Sequence, residues 1–289
     1  DTDLVLFDES LVLLAKKETY RGREYFEKQA VVAESGISRY EALDSVANRF
    51  PADQDIRRLF ARALDDSFSS IREFALANLL ALADSMPLTA AEEEKIVAMA
   101  KKDPDNAVRA GAIDLLNKTG PDKYADLFME FIGDSSYYVA GAALNAYLEN
   151  RDNPERDAVA EGLMDTDNIQ VVVPLAEYFI QLGDTARADW FHEKISRLNG
   201  ESLYYFLGYY GDYFARFEAL DHEPALRKLF QLAENHPAGY VRLAAFQALM
   251  GFIDEEGVPE KARELNAAEK DETVKKYQQF FLGTDGDMN

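Results

Sequence analysis

The residues best suited to chemistry in this chain are three histidines, and His192 stands in the string His192-Glu193-Lys194-Ile195-Ser196. A zinc-binding helix of the H-E-x-x-H type needs a second imidazole four residues on, where the turn of the helix brings both rings to one face. Ser196 occupies that place, so a metal would find one ligand, and His192 reads as an ordinary side chain of an amphipathic helix. His222 and His236 lie in Asp221-His222-Glu223-Pro224 and Asn235-His236-Pro237, ahead of expected helices, and read as caps or turns. Carboxylates are too abundant for any pair to be singled out as a general acid and base. Glu92-Glu93-Glu94 fits the first turn of a helix, where the dipole favours negative charge. Asp165-Thr166-Asp167-Asn168 and Asp103-Pro104-Asp105-Asn106 begin like calcium loops, yet neither has Gly at the sixth place or Glu at the twelfth, so both read as turns between helices. Phosphate-loop, dinucleotide and nucleophile-elbow strings do not occur. No residue is assigned a catalytic, cofactor-binding or metal-binding role.

The remaining candidate is aromatic. Leu203-Tyr204-Tyr205-Phe206-Leu207-Gly208-Tyr209-Tyr210-Gly211-Asp212-Tyr213-Phe214, with Phe217 beyond, is apolar nearly all round. Phe206, Tyr210, Phe214 and Phe217 form one helical stripe and Tyr205, Tyr209 and Tyr213 another, while Gly208 and Gly211 leave room for a neighbouring helix. The expected arrangement is a helix buried between two layers. The alternative makes Tyr205, Tyr209 and Tyr213 an exposed wall for a peptide or partner.

The elements that must carry these residues are helical. The 289 residues contain 47% hydrophobic side chains, enough for a sizeable core. With 31 Lys and Arg against 53 Asp and Glu, the net charge of −22 repels phosphate backbones and anionic lipid, so nucleic acid and membrane surfaces are not expected partners. The absence of Cys removes disulfides, thiolate metal sites and Cys nucleophiles. No apolar run reaches the roughly 18 to 20 residues that span a bilayer. Between Asp3 and Lys17, two short runs rich in Val and Leu, Leu4 to Phe7 and Leu11 to Leu14, read as extended structure whose sheet partners lie elsewhere. After Thr19 apolar residues fall three and four apart, in roughly fifteen segments of about a dozen residues.

Four of these segments align without gaps: DSFSSIREFALANLL from Asp66, DPDNAVRAGAIDLLN from Asp103, DSSYYVAGAALNAYL from Asp134 and HPAGYVRLAAFQALM from His236. A fifth, DNIQVVVPLAEYFIQ from Asp167, keeps the Asp, Val and Ala, loses the Arg, and places Pro174 in the first turn. The Ile or Val recurs at 71, 108, 139, 172 and 241, a period in the low thirties with one double step. The Asp is placed to accept backbone N–H bonds at the helix start, and the Val and the small Ala four residues later share the face on which a paired helix approaches. Arg72, Arg109 and Arg242 point sideways, suited to bridge to an Asp such as Asp66, Asp103 or Asp134 of the same or the next unit. The phrase resembles the second helix of a HEAT repeat. The expected fold is all-α, an α-solenoid of HEAT-like helical hairpins over 21–289, preceded by a short N-terminal β-strand segment over 1–20.

The opening strand pair, followed by Tyr25-Phe26-Glu27-Lys28-Gln29 and Arg39-Tyr40-Glu41-Ala42-Leu43, resembles the junction between the β-sandwich and the C-terminal helical domain in bacterial zinc aminopeptidases of the aminopeptidase N (gluzincin) family. The resemblance implies a non-catalytic end of such an enzyme, covering the active site and limiting peptide access. Its partners would be the upstream catalytic and β-sandwich domains of the same polypeptide, and peptides. Zinc would belong to the catalytic domain, since neither H-E-x-x-H nor G-x-M-E-N occurs here. The strand pair would then be a remnant of the sandwich, and a chain that starts at Asp1 would be a processed protein or an excised fragment, of bacterial cytoplasm or periplasm. A second reading is a stand-alone HEAT-repeat scaffold that binds a protein partner on its concave face. A third, a HEAT-like DNA-repair glycosylase, needs a basic groove, and the charge has the wrong sign.

Overall fold

A computed structural model describes residues 20–283, which hold sixteen α-helices, three short 3-10 turns and no strand. The expected β-strand segment over 1–20 lies, but for Tyr20, outside the described residues. The chain divides into two compact units, 1–150 and 151–289.

The first unit carries α1 (Arg23–Val32), α2 (Gly36–Arg49), α3 (Gln54–Ala63), α4 (Ser69–Leu82), α5 (Ala90–Lys102), α6 (Asn106–Thr119), α7 (Ala125–Ile132) and α8 (Tyr137–Glu149). Each odd helix packs on the even helix that follows it, and α2, α4, α6 and α8 pack in a row. The even helices are thus the second helices of successive hairpins. The second unit carries α9 (Arg156–Gly162), α10 (Ile169–Leu182), α11 (Ala188–Arg197), α12 (Gly200–Arg216), α13 (Glu223–Asn235), α14 (Gly239–Leu249), α15 (Val258–Ala268) and α16 (Glu272–Phe281). Here α11, α13 and α15 pack on the even helix that follows, and α10, α12, α14 and α16 stand in a row.

The repeat phrase explains both rows. Ile71, Val108, Val139, Val172 and Val241 are buried, as are Ala75, Ala112, Ala143, Ala176 and Ala245 four residues on. A small side chain one turn from a branched one lets the neighbouring backbone come close without opening a void. Pro174 lies in the second turn of α10 rather than the first, because the helix already starts at Ile169.

The arginines clamp consecutive hairpins. Arg39 donates to Asp66 at 2.7 and 2.8 Å, Arg72 to Asp103 at 2.9 and 2.7 Å, and Arg109 to Asp134 at 3.3 and 2.5 Å. Each guanidinium also ties back to its own hairpin: Arg39 to the Ala33 and Glu34 carbonyls, Arg72 to those of Asp66 and Ser67, Arg109 to that of Ala100. In the second unit Arg242 reaches Glu269 at 2.8 and 2.9 Å and the carbonyls of His236 and Pro237. The partner is therefore the carboxylate of the next hairpin. That carboxylate is not an N-cap: the caps are Phe68, Asp105 and Ser136, and Asp66, Asp103 and Asp134 instead accept the N–H two residues on, at 2.9, 3.0 and 2.8 Å. The turn fixes the carboxylate where the preceding Arg can meet it with both oxygens.

First helices are joined by a parallel set of ion pairs. Arg23 reaches the α3 cap Asp53 at 2.9 Å, and the buried Arg57 reaches Glu92 at 2.9 and 2.6 Å and the carbonyls of Met86 and Pro87. Glu92 closes a capping box with Thr89 at the same time. In the second unit Lys194 of α11, 1% exposed, reaches instead the turn ahead of the second helix α10, donating to the Thr166 carbonyl at 2.7 Å and to Asp167 at 3.0 Å.

Removing one partner of such a pair leaves the other charge enclosed. Arg72→Ala is expected to cost about 3 kcal/mol in urea unfolding, against under about 0.5 kcal/mol for Arg227→Ala, whose partner Glu223 is exposed with it. The pH dependence follows from the same pairs. The Arg57 guanidinium holds Glu92 down at about 2, and Arg109 and Arg242 likewise depress Asp134 and Glu269. Carboxylates depressed in the folded state stabilise it fully above their unfolded values near 4 and lose that contribution as pH falls toward 2. Thermal melts are therefore expected to drop steeply between about pH 4.5 and 2, and Glu92→Gln is expected to flatten part of that slope.

Candidate binding surface

Helix α12 supplies the aromatic candidate, and its two faces differ. Leu203, Phe206, Leu207, Tyr210, Tyr213 and Phe214 are buried. Phe191 stacks on Tyr213 with ring centroids 3.9 Å apart, and the Tyr213 hydroxyl donates to the Asp184 carbonyl at 2.7 Å. The supposed wall of Tyr205, Tyr209 and Tyr213 therefore does not exist as one surface: Tyr205 is exposed, Tyr209 half-buried, and Tyr213 in the core. Each step of four residues turns about 40° beyond a full revolution, so two steps carry the ring from solvent to core. Nor is α12 enclosed all round, since Tyr204, Tyr205, Gly208 and Asp212 are exposed.

The exposed edge of α12 meets that of α14. Tyr204 (41% exposed) lies edge-on to Tyr205 (58%) at 5.2 Å and to Tyr240 of α14 (47%) at 5.8 Å. Below this trio runs a groove of about 380 Å³, lined by Gly208, Asp212, Ala215, Ala244, Gln247 and Gly251 among others. Gly211 is what lets the helices close: a β-carbon there would stand 2.8 Å from the Ala248 Cβ and 3.2 Å from the Ala248 carbonyl oxygen. Gly208 plays no such part, for a β-carbon on it meets nothing within 4 Å and would point into the groove. Sequence reading missed Tyr204 and Tyr240 because their proximity is between repeats; the signal available was the adjacent Tyr204-Tyr205 pair.

The other candidates are structural. His192 hydrogen-bonds the Tyr210 hydroxyl at 2.8 Å and stacks on Phe214, and burial pushes its pKa down. Ser196, in the place of a second imidazole, donates to the His192 carbonyl. His222 sits against Glu255 at 2.5 Å; burial acts to lower its pKa, but the Glu255 carboxylate together with the Phe217 carbonyl and the charge of Asp221 leave it raised. His236 accepts the Ala238 N–H and shapes the turn before α14. Asp103, Asp105 and Asp167 of the calcium-like strings are engaged with Arg72, the Ala107 N–H and Lys194. Among the described residues no group of three His, Cys, Asp or Glu could hold a metal, and no helix is long and apolar enough to cross a membrane.

The second-helix row of the first unit has its own polar patch. Tyr137 and Tyr138 are exposed at the start of α8, and Glu149 at its end accepts from Asn117 at 2.5 Å and Asn145 at 3.2 Å. Asp114 on α6 keeps access to solvent, yet the crowding of protein around it, and then the Glu149 carboxylate, push its pKa up to about 6.

No family model matches the chain, and no curated protein matches it. Among solved structures, human deoxyhypusine hydroxylase in complex with glycerol is similar to it at 14% identity, over 90% of this chain and 94% of that chain, with a TM-score of 0.39. The aminopeptidase reading is corrected: neither a family model nor a curated protein of the aminopeptidase N family matches the chain. The upstream catalytic and β-sandwich partners go with it, as does the assignment of the chain as the non-catalytic fragment of a peptidase. The residues behind that resemblance show why it misled. The strand pair lies outside the described residues. Tyr25 to Gln29 is the middle of α1, and Arg39 to Leu43 is a further copy of the repeat phrase, with Ser38 at the Val place, Arg39 clamping Asp66 and Ala42 buried.

The two faces of α12 give a direct test. Tyr213→Ala is expected to lower stability by about 3 to 5 kcal/mol and Tyr205→Ala by under about 0.5 kcal/mol, with Gly211→Ala destabilising and Gly208→Ala tolerated, all read by thermal and urea melts.

Proposed function

We propose that the chain is a HEAT-like repeat scaffold that binds a protein partner through its second helices. The observation that supports this most directly is the distribution of exposed apolar side chains. Among the described residues, the large ones other than Tyr20, Val32 and Met129 all belong to second helices or their N-caps: Ile37 and Tyr40, Phe68, Tyr137 and Tyr138, Leu182, Tyr204 and Tyr205, Tyr240, and Tyr277 and Phe280. First helices present charged and polar residues instead, as a solvated face does. Within each unit, exposed aromatics carried by the second helices have the composition of a recognition surface, where rigid rings supply contact area at low entropic cost. The tight Arg–carboxylate clamps suit this role, because they hold successive second helices in fixed register.

Affinity capture with the folded chain tests it. Proteins retained by the wild type are expected to be lost from Tyr137→Ser/Tyr138→Ser or Tyr204→Ser/Tyr205→Ser variants of unchanged melting temperature, and kept by Val32→Ser/Met129→Ser. Loss with the first-helix variant instead would overturn the reading.

A further inference from the structure

The α12 edge departs from the repeat at one defined place. In α4, α6 and α14 the residue after the buried Ile or Val is Arg72, Arg109 or Arg242, and it clamps the next hairpin. In α12 the corresponding string is Leu203-Tyr204-Tyr205-Phe206-Leu207, with Leu203 and Leu207 buried, so Tyr204 stands where the clamp belongs. Its ring does not hold the next hairpin by an ion pair but meets Tyr205 and Tyr240 in an exposed trio. A position that is cationic and structural in α2, α4, α6 and α14, and Ala140 or Val173 in α8 and α10, is here aromatic and open.

Charge beside the trio and along the groove is acidic, the exposed Arg216 on this edge lying one turn beyond Asp212 at the helix end. Glu201, one turn before Tyr205, and Asp212, two turns after it, are exposed on the same side of α12, and no Lys or Arg lines the groove. Arg242, the nearest cation on α14, is taken up by Glu269. Three tyrosine rings with carboxylates on either side attract a guanidinium or ammonium group, through the ring faces and through Coulomb attraction together. Tyr205 and Asp212 are seven residues apart on one helix, about 10 Å along its axis. A chain in the polyproline II conformation covers about 9 Å in three residues and, at three residues per turn, brings its first and fourth side chains to the same face.

Resting on the scaffold reading above, we propose that the α12–α14 groove is the docking site for an extended basic segment of a protein partner, with one Arg over the Tyr204–Tyr205–Tyr240 trio and a second, three residues on, against Asp212. The floor of Gly208, Ala244 and Gly251 admits the peptide backbone close to the helices, and Gln247 offers it an amide.

Fluorescence anisotropy with labelled Gly/Ser peptides tests the proposal on the full chain. The probes are Arg-x-x-Arg, the same peptide with citrulline at both places, and Arg-x-x-x-x-x-Arg at equal charge. The Arg-x-x-Arg peptide is expected to bind at least tenfold more tightly than the citrulline peptide and about threefold more tightly than the wide-spaced one. Tyr204→Ala and Tyr240→Ala are each expected to weaken it by roughly fivefold to tenfold, and Asp212→Asn by about threefold with a shallower salt dependence. Equal binding of the two spacings together with no effect of the tyrosine variants would overturn the proposal and assign the attraction to the diffuse charge of −22. Equal binding of the citrulline peptide would overturn it as well. Should the partner captured above depend on Tyr137 and Tyr138 but not on Tyr204 and Tyr240, the docking site falls while the scaffold reading stands.

Discussion

The interaction on which this architecture rests is the ion pair between the arginine of one second helix and the carboxylate ahead of the next. A stack of helical hairpins has no long-range ladder of backbone bonds, so its register depends on what crosses from one unit to its neighbour. Packing of Val on Ala supplies area but tolerates sliding. A bidentate Arg–carboxylate pair, tied also to carbonyls of its own hairpin, does not, because two oxygens and fixed planar geometry admit one alignment. Enclosure of these pairs makes them costly to break, whatever their net contribution relative to an apolar core.

Fixed register has a functional consequence. Side chains on adjacent second helices can act as a single surface only if their spacing is constant. The described residues of the α12–α14 junction carry no Arg–carboxylate clamp, and there the close approach of Gly211 to Ala248 supports the Tyr204–Tyr240 contact across two hairpins. Gly211 sets the approach that brings the rings together, since the Ala248 backbone would have to retreat from any larger residue. The same closeness opens the groove beyond, where Gly208 leaves space unfilled. Core and surface are thus two results of one helix: Tyr210 and Tyr213 anchor α12, and that anchorage orients Tyr204 and Tyr205 outward.

Much of the fold was legible in the sequence because the repeat phrase is written in residue types with distinct physical duties. Val108, Arg109 and Ala112 could each be assigned a direction from spacing alone, and the structure places them accordingly. Arg39 escaped notice because Ser38 replaces the expected branched residue, its carbonyl accepting the Gln29 side-chain amide at 2.8 Å. The carboxylates were read as caps because Asp is common there, whereas the geometry of Asp66 is that of a turn two residues ahead of the helix. The candidate surface was half legible. Tyr205 is exposed, but treating Tyr205, Tyr209 and Tyr213 as one stripe ignored the rotation that accumulates over eight residues. Tyr240 could not have been joined to them without knowing which second helices are neighbours.

The central claim is that one side of these hairpins, the second helices, is built for recognition and the other for solvation. Hydroxyl-radical footprinting of the chain with and without a captured partner measures this side chain by side chain. The account predicts reduced labelling at Tyr138, Tyr204, Tyr205 or Tyr240 with Val32 and Met129 unchanged. Protection confined to Val32, Met129 and other first-helix residues would contradict it.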